Sequence, residues 1–344
     1  MIAKPSAPTW NAKRISAFLT DNAIYIILLA LLVVIIVRSP DFLTIVNFRN
    51  ILAQASTRVI IALGVGGILI TAGTDLSAGR LVGLAAVVSA SLLQATDYAY
   101  RMYPHLARLP VILPVLLCAV IGAIFGLING GVVAILQVPP FIATLGMMII
   151  VYGINSTYFD RPPYGAQPIG GLDPAFMKYA QGYLFEGKFA LPYLVIYAAI
   201  TAVVMWVLWN KTRLGKNMYA IGGNPEAAIV SGVNVVKTLI IIYTIAGALY
   251  GFAGTLEAAR VGSATNNTGN MYELDAIAAC VVGGVSTSGG IGTVPGIVAG
   301  VLIFQVIAYG LNFMSVNPYM QYIVKGLIIV SAVAIDIRKY IRRK

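Results

Sequence analysis

The sequence has few residues that could carry covalent or metal chemistry. Its 344 residues include one histidine, His105, and two cysteines, Cys118 and Cys280, which lie in separate hydrophobic runs. One histidine and two distant cysteines cannot assemble a zinc site, so we predict no metal and no cofactor. We also expect no disulfide framework, and we interpret both cysteines as small core residues and His105 as a solvated loop residue.

A phosphate-binding loop is also missing. The pattern G-x-x-x-x-G-K-[ST], whose backbone amides and lysine hold nucleotide phosphates, does not occur in the sequence. We therefore expect that the chain neither binds nor hydrolyses ATP. It also lacks a catalytic cluster or a long polar domain, which argues against an intramembrane enzyme.

Charged residues are scarce, at 10% of the chain, whereas 59% of its residues are hydrophobic. Soluble domains have about 25% charged and 45–50% apolar residues, so this composition indicates an all-α polytopic membrane protein. We predict a single domain over residues 1–344, with both termini cytoplasmic because both are basic. The ten predicted transmembrane helices cover residues 23–37, 51–72, 81–95, 111–136, 141–158, 191–209, 238–259, 274–285, 292–311 and 322–335.

Three matching features, in the same order in both halves, indicate an inverted repeat. Each half has a carboxylate-bearing helix start (at Asp75 and Glu273), then a GxxxGxxxG ladder, then a Val-x-Pro-aromatic segment. Such ladders allow close helix approach, and in the predicted threading the two copies run in opposite directions. The ladder glycines are Gly122, Gly126 and Gly130, and Gly292, Gly296 and Gly300.

Ionisable residues near or inside the spans raise the alternative of an ion-coupled secondary transporter. They are Asp75, Glu257, Glu273, Asp275 and Lys325. We favour structural roles, because most lie near predicted span ends, where capping, pairing or snorkelling explains them. Asp75 with Ser77 is expected to cap the third span, and Glu257 to pair with Arg260. Gln54 and Arg58 share one helix face, which must contact protein or water.

A polar segment over residues 210–237 separates two long hydrophobic runs and encodes one short helix. Asn224 is a suitable N-cap, and Pro225 fits the first helical position. The negative charge of Glu226 is favourable beside the positive end of the helix dipole. Gly232 can adopt the left-handed conformation after the helix. We expect Gly222 and Gly223 to form a tight turn before the cap, in which a β-branched residue at Gly223 would be strained if its φ is positive. This helix is too short to cross a bilayer.

Three motifs give the chain a resemblance to a known family. They are Gly222-Gly-Asn-Pro-Glu226, Gly73-Thr-Asp-Leu-Ser-Ala-Gly79 and Tyr272-Glu-Leu-Asp-Ala-Ile-Ala-Ala279. With Gly283-Gly284, Gly289-Gly290 and the segment 260–267, they resemble the permeases of ABC-type sugar importers in the ribose/galactose branch. The likeness covers most of the chain from about residue 40.

The resemblance implies a fold similar to the cobalamin-importer class and a homodimer with its path on the two-fold axis. It also implies a periplasmic sugar-binding protein and an ATPase with two fused nucleotide-binding halves as partners. The expected cargo is galactose or methylgalactoside, with ribose or xylose as alternatives. The resemblance places the protein in the bacterial inner membrane. Residues 159–190 would form a periplasmic loop, and residues 210–237 would form a cytoplasmic coupling loop.

Two sets of candidate site residues follow, the first from the resemblance and the second mainly from the polar helix starts of the two halves. The ATPase-coupling set is Gly222, Gly223, Asn224, Pro225, Glu226, Ala227, Ala228, Ser231 and Gly232. The candidates for the translocation path are Asp75, Ser77, Asn266, Asn267, Glu273 and Asp275.

Overall fold

The computed structural model describes residues 23–161, 165–185, 187 and 190–341, and this part of the chain is helical. Apart from a 3-10 turn at Pro40–Phe42, only isolated β-bridges interrupt the described helices. The α-helices are α1 Ala23–Arg38, α2 Ile45–Ile70, α3 Ala78–Leu92, α4 Ile112–Ala134, α5 Pro140–Phe159, α6 Pro174–Gln181, α7 Tyr193–Lys211, α8 Arg213–Gly223, α9 Pro225–Val230, α10 Val235–Val261, α11 Tyr272–Val282, α12 Val294–Phe313 and α13 Pro318–Ile341.

Six of the described helices are long and apolar enough to cross a membrane, namely α2, α4, α5, α7, α10 and α12. Two shorter apolar helices, Leu28–Arg38 and Ala78–Leu92, accompany them. The prediction of a polytopic helical membrane protein is therefore confirmed. The finer count of ten spans stays a prediction.

Several helix bounds differ from the predicted ones for local reasons. Helix α2 begins at Ile45 rather than at residue 51, because the Thr44 side chain caps it by accepting the Asn47 N–H at 3.2 Å. Helix α13 begins at Pro318 rather than at residue 322. Helix α6 has the predicted bounds, Pro174–Gln181, with Asp173 as its N-cap.

The chain divides into two compact units, residues 43–306 and residues 1–42 with 307–344. In the described part of the smaller unit, Phe42 packs its ring against Tyr309 and Phe313, with ring centroids 6.2 and 5.8 Å apart. Ile35 packs against Gly310 in the same unit. The prediction of a single domain stays a prediction.

In the larger unit, α2 is the central helix. All its residues from Val59 to Ile70 are buried, and it packs against α7, α10 and α11. A helix that is apolar on every side requires protein neighbours or lipid on every side. This explains why the span is so uniformly hydrophobic from Val59 to Ile70.

The first glycine ladder brings α4 against α10. A Cβ at Gly122 would collide with the carbonyl of Gly247, and one at Gly126 with the carbonyl of Tyr243. Only glycine lets the two backbones approach this closely. The close approach predicted for Gly122, Gly126 and Gly130 is therefore present, and its partner is α10.

This packing predicts a position-dependent effect of valine in α4. Gly126→Val must push α4 away from α10, because backbone rather than a flexible side chain occupies the space. Overpacking of this kind costs roughly 1–3 kcal/mol. We expect the thermal unfolding midpoint in detergent to fall by several degrees.

Gly131→Val is the matched control, since a Cβ there meets nothing within 4 Å on the same helix. We expect it to unfold near the unmodified temperature. Equal midpoints for the two variants would show that the α4–α10 contact contributes little to stability.

Candidate functional site

Helix α9 forms as its residues predict. The Asn224 side chain accepts the Ala227 N–H at 3.0 Å, Pro225 occupies the first helical position, and Gly232 has φ +82°. Ala228 is its one buried residue, whereas Val230 is 90% and Ile229 60% exposed. The helix thus presents two exposed aliphatic side chains, Ile229 and Val230, on its outer face.

The expected Gly222-Gly223 turn is wrong. Both glycines form the last residues of α8, an amphipathic helix that the sequence reading missed, and neither has a positive φ. The spacing of Gly215, Met218 and Ile221 could have predicted α8, because these residues recur every three positions and form the buried face of the helix. A strain argument therefore does not apply at Gly223, which is exposed with nothing within 4 Å of a built Cβ.

Gly222 joins the two short helices α8 and α9 to the membrane helices. A Cβ at Gly222 would collide with the carbonyl oxygen of Ile70, the last residue of α2. The same oxygen accepts the Gly290 N–H at 2.8 Å. Tyr219 adds a second link, donating its hydroxyl to the Gly292 carbonyl at 2.8 Å, just before α12. Gly222 and Tyr219 therefore tie α8 to the end of α2 and to the segment just before α12.

Asp75 and Ser77 meet at a fully buried turn before α3. Asp75 Oδ1 accepts the Ser77 N–H at 2.9 Å and the Ser77 hydroxyl at 2.6 Å. Asn129 of α4 donates to the Ser77 Oγ at 3.0 Å. Ser77 is the N-cap residue, but its side chain makes no capping hydrogen bond, so that half of the prediction is wrong. Asp75 instead holds the turn.

Glu257 has four hydrogen bonds at the end of α10. It accepts two from Arg260, at 2.7 and 3.2 Å, one from the Tyr272 hydroxyl at 2.9 Å and one from Thr57 at 3.1 Å. The predicted Glu257–Arg260 pair is present. Because the carboxylate is fully partnered, its burial is structurally explained.

The other path candidates lie in the first turn of α11 and in the loop before it. Glu273 is 7% exposed, its Oε2 is buried without a hydrogen-bond partner, and it lies against Gly79 in the first turn of α3. Asn266 donates weakly to the Ser156 hydroxyl at 3.4 Å. Asn267 is exposed, and Asp275 is partly exposed.

The polar segment around α6 is tied to the loop before α4. Arg108 donates twice to Asp173, at 2.7 and 3.0 Å, and Asp173 also caps α6 by accepting the Ala175 N–H at 2.8 Å. The hydrogen bonds from Arg108 lower the pKa of the Asp173 carboxyl. A nearby cavity of about 370 Å³ is lined partly by Gln94, Tyr98 and Arg161.

The predictions for the two cysteines and the histidine concern single side chains. Cys118 and Cys280 are buried and free, and His105 is exposed, as expected. Trp209 of α7 is 2% exposed and packs beside Gly67 of α2.

These features together define a polytopic α-helical membrane protein. The described residues combine six long apolar helices with buried polar turns and with the two short helices α8 and α9.

The comparisons identify the family. Residues 47–333 match the family model described as "Branched-chain amino acid transport system / permease component", so the chain belongs to this family of permeases. It is 59% identical to the galactose/methyl galactoside import permease protein of Escherichia coli K12 over 97% of this chain and 99% of that protein. It is 37% identical to the Treponema pallidum protein of the same name, over 95% of this chain and 64% of that protein.

A ribose import permease protein of Escherichia coli K12 is 36% identical, over 94% of this chain and 95% of its own length. No solved structure matches the chain significantly. The relatives are transport components rather than enzymes, and so is this chain. It is a multi-pass protein of the bacterial inner membrane.

Proposed function

We propose that the chain is the transmembrane subunit of an ATP-driven importer of galactose and methylgalactosides. The observation that carries this proposal is the 59% identity, over nearly both full lengths, to a galactose/methyl galactoside import permease. The ribose import permease has 36% identity over a similar length, so another monosaccharide such as ribose or xylose is the second candidate.

The test is uptake in cells that lack their own galactose importers. The chain, co-expressed with the ATPase and the binding protein of a galactose importer, should restore uptake of labelled galactose. Pairing it with the partners of a ribose importer is the control and should not restore ribose uptake. Ribose uptake without galactose uptake would contradict the proposed substrate.

The proposed energy source is ATP hydrolysis by the partner ATPase. Uptake should fail when the ATPase is deleted and should survive a proton uncoupler while cellular ATP is maintained. Uptake that collapses with the proton gradient at constant ATP would favour ion-coupled secondary transport. Asp75, Glu273 and Lys325 would then be the groups to test.

The proposed assembly is a homodimer whose two α9 helices engage an ATPase with two fused nucleotide-binding halves. A periplasmic binding protein delivers the sugar to the outer loops, including residues 159–190. The exposed Val230 and Ile229, and the links from Gly222 and Tyr219 to α2 and α12, support the coupling role of residues 210–237. Closure of the ATPase would move α8 and α9 and reorient these spans.

The proposed architecture has ten spans, both termini in the cytoplasm and an inverted repeat. Two half-length helices, α3 and α11, support the repeat because their first turns meet, with Gly79 against Glu273 and Gly269. Each of these half-length helices also packs against a long helix from the other half of the chain: α3 packs against α10, and α11 packs against α2. Helix starts that meet in this way are typical of transporter sites at a repeat interface.

This topology predicts opposite labelling of two engineered cysteines. Gly170→Cys should react with a membrane-impermeant thiol reagent added from the periplasm, because residue 170 lies in the loop near α6. Ala227→Cys on α9 should react only after the membrane is opened, because Lys211, Arg213 and Lys216 mark a cytoplasmic segment. Ala227 is exposed, so failure to label in intact cells reports sidedness rather than burial. Equal labelling of both cysteines in intact cells would reverse the threading.

A further inference from the structure

A polar face lies halfway along α2 and does not belong to either of the candidate sets. Arg58 is thirteen residues after Ile45 and twelve before Ile70, so it is near the middle of a helix about 39 Å long. Its guanidinium lies over the ring of Tyr272, 3.1 Å from the centroid, at the start of α11. One turn away, Gln54 accepts a hydrogen bond from Gln305 of α12 at 3.0 Å.

This polar face, Gln54, Arg58, Tyr272 and Gln305, is not sealed inside the protein. All four residues are partly exposed, although the rest of α2 from Val59 onward is buried. A cation and two amides near the middle of a membrane helix cannot face hydrocarbon, because each would lose its hydration without replacement. They must face water or another protein surface.

The charges of the cluster favour water. Arg58 and Arg260 face one carboxylate, Glu257, whose four hydrogen bonds come from Arg260, Tyr272 and Thr57. Arg58 thus contributes an excess positive charge. Its Nη1 is buried without a hydrogen-bond partner, so this charge can be hydrated only through the rest of the side chain, which is partly exposed. Covering this charge with a second copy of the chain would bury it uncompensated, which is costly, whereas a water-filled path would solvate it.

The same charge selects among solutes. A fixed guanidinium within a membrane path repels protons and metal cations, while amide and guanidinium groups hydrogen-bond to uncharged hydroxyls. We propose that the polar face lines the central part of the translocation path and contacts the transported sugar as a neutral polyol. This inference rests on the proposed function for the identity of the solute, and on the geometry for the position of the path.

The test is thiol accessibility at Gln54→Cys in the full chain assembled with its ATPase and binding protein. Cys118 and Cys280 are buried, so the unmodified chain gives the background. We expect reaction with hydrophilic methanethiosulfonates in at least one nucleotide state, with the anionic reagent about fivefold faster than the cationic one beside Arg58. The preference should disappear when Arg58→Gln is added. Val120→Cys, at a 54% exposed apolar position of α4, should react with neither ionic reagent.

The outcomes separate the two proposals. Protection of Gln54→Cys by delivered galactose supports the sugar contact. No reaction in any nucleotide state, in an assembly that transports galactose, overturns the inference and indicates that a second copy covers the face. Reaction without protection, in such an assembly, overturns the sugar contact. If the unmodified assembly fails to take up galactose, the proposed function is contradicted. In that case the faster reaction of the anionic reagent at Gln54→Cys still tests whether the polar face lines the path.

Discussion

Gly222→Val is expected to reduce sugar uptake at least tenfold while leaving membrane insertion intact. The valine side chain would occupy the space of the Ile70 carbonyl and the Gly290 N–H, which hydrogen-bond to each other at 2.8 Å. Both partners are backbone, so α8 must move away from the ends of α2 and α12. A shift of this kind costs roughly 1–3 kcal/mol locally. That is too small to unfold the bundle, but it disconnects α9 from the membrane helices.

Gly223→Val is the matched control one residue later. A Cβ at Gly223 meets nothing within 4 Å, and the residue is exposed at the end of α8. Because Gly223 belongs to the candidate coupling set but does not contact α2, we expect a clearly smaller loss of uptake than in Gly222→Val, and the difference between the two variants measures the Gly222 contact. Uptake and sugar-stimulated ATPase activity measured in proteoliposomes test both variants. Normal coupling in Gly222→Val would show that the Gly222 contact does not transmit motion.

The second large effect is expected on α9, where Val230→Asp should weaken binding of the ATPase subunit at least tenfold. Val230 is 90% exposed, so an aspartate there costs the isolated chain little. At an interface the same change buries an unpaired charge, and substitutions at central interface residues often cost 2 kcal/mol or more. Glu226→Arg should act in the same direction, because mismatched charges across an interface can cost several kcal/mol.

Val261→Asp is the control for this experiment. Val261 is also an exposed aliphatic residue, 54% exposed, but it ends α10 at the opposite end from α9. Pull-down of the ATPase should therefore be unchanged in Val261→Asp and lost in Val230→Asp. Normal ATPase binding by both Val230→Asp and Glu226→Arg would leave residues 210–237 as a simple connection.

The local features of the coupling segment could be predicted because they depend on neighbouring residues. Asn224, Pro225 and Gly232 act through their own side chains and dihedral angles within one short helix. Helix α6 could be predicted for the same reason, since Asp173 and Pro174 mark its start. The error at Gly222 and Gly223 came from reading two adjacent glycines as a turn, when tertiary packing against Ile70 requires the first of them to be small.

The partners of the polar groups could not be predicted. The sequence indicates that Gln54 and Arg58 avoid lipid, but Tyr272 and Gln305 are more than 200 residues away along the chain. Likewise, the glycines of α4 predict a close helix without naming α10. Ser77 occupies a capping position, yet its hydroxyl donates to Asp75 and accepts from Asn129 instead.

The amino-acid sequence alone was enough to predict that this protein contains many apolar helices, that α6 and α9 begin where they do, and that Gln54 and Arg58 avoid lipid. These properties follow from hydrophobicity and capping, which act over a few residues. Only the tertiary structure decided that Gly222 contacts the end of α2 and that Arg58 lies on Tyr272. Contacts between distant segments depend on how whole helices pack, and no local pattern encodes which backbone carbonyl a glycine will meet.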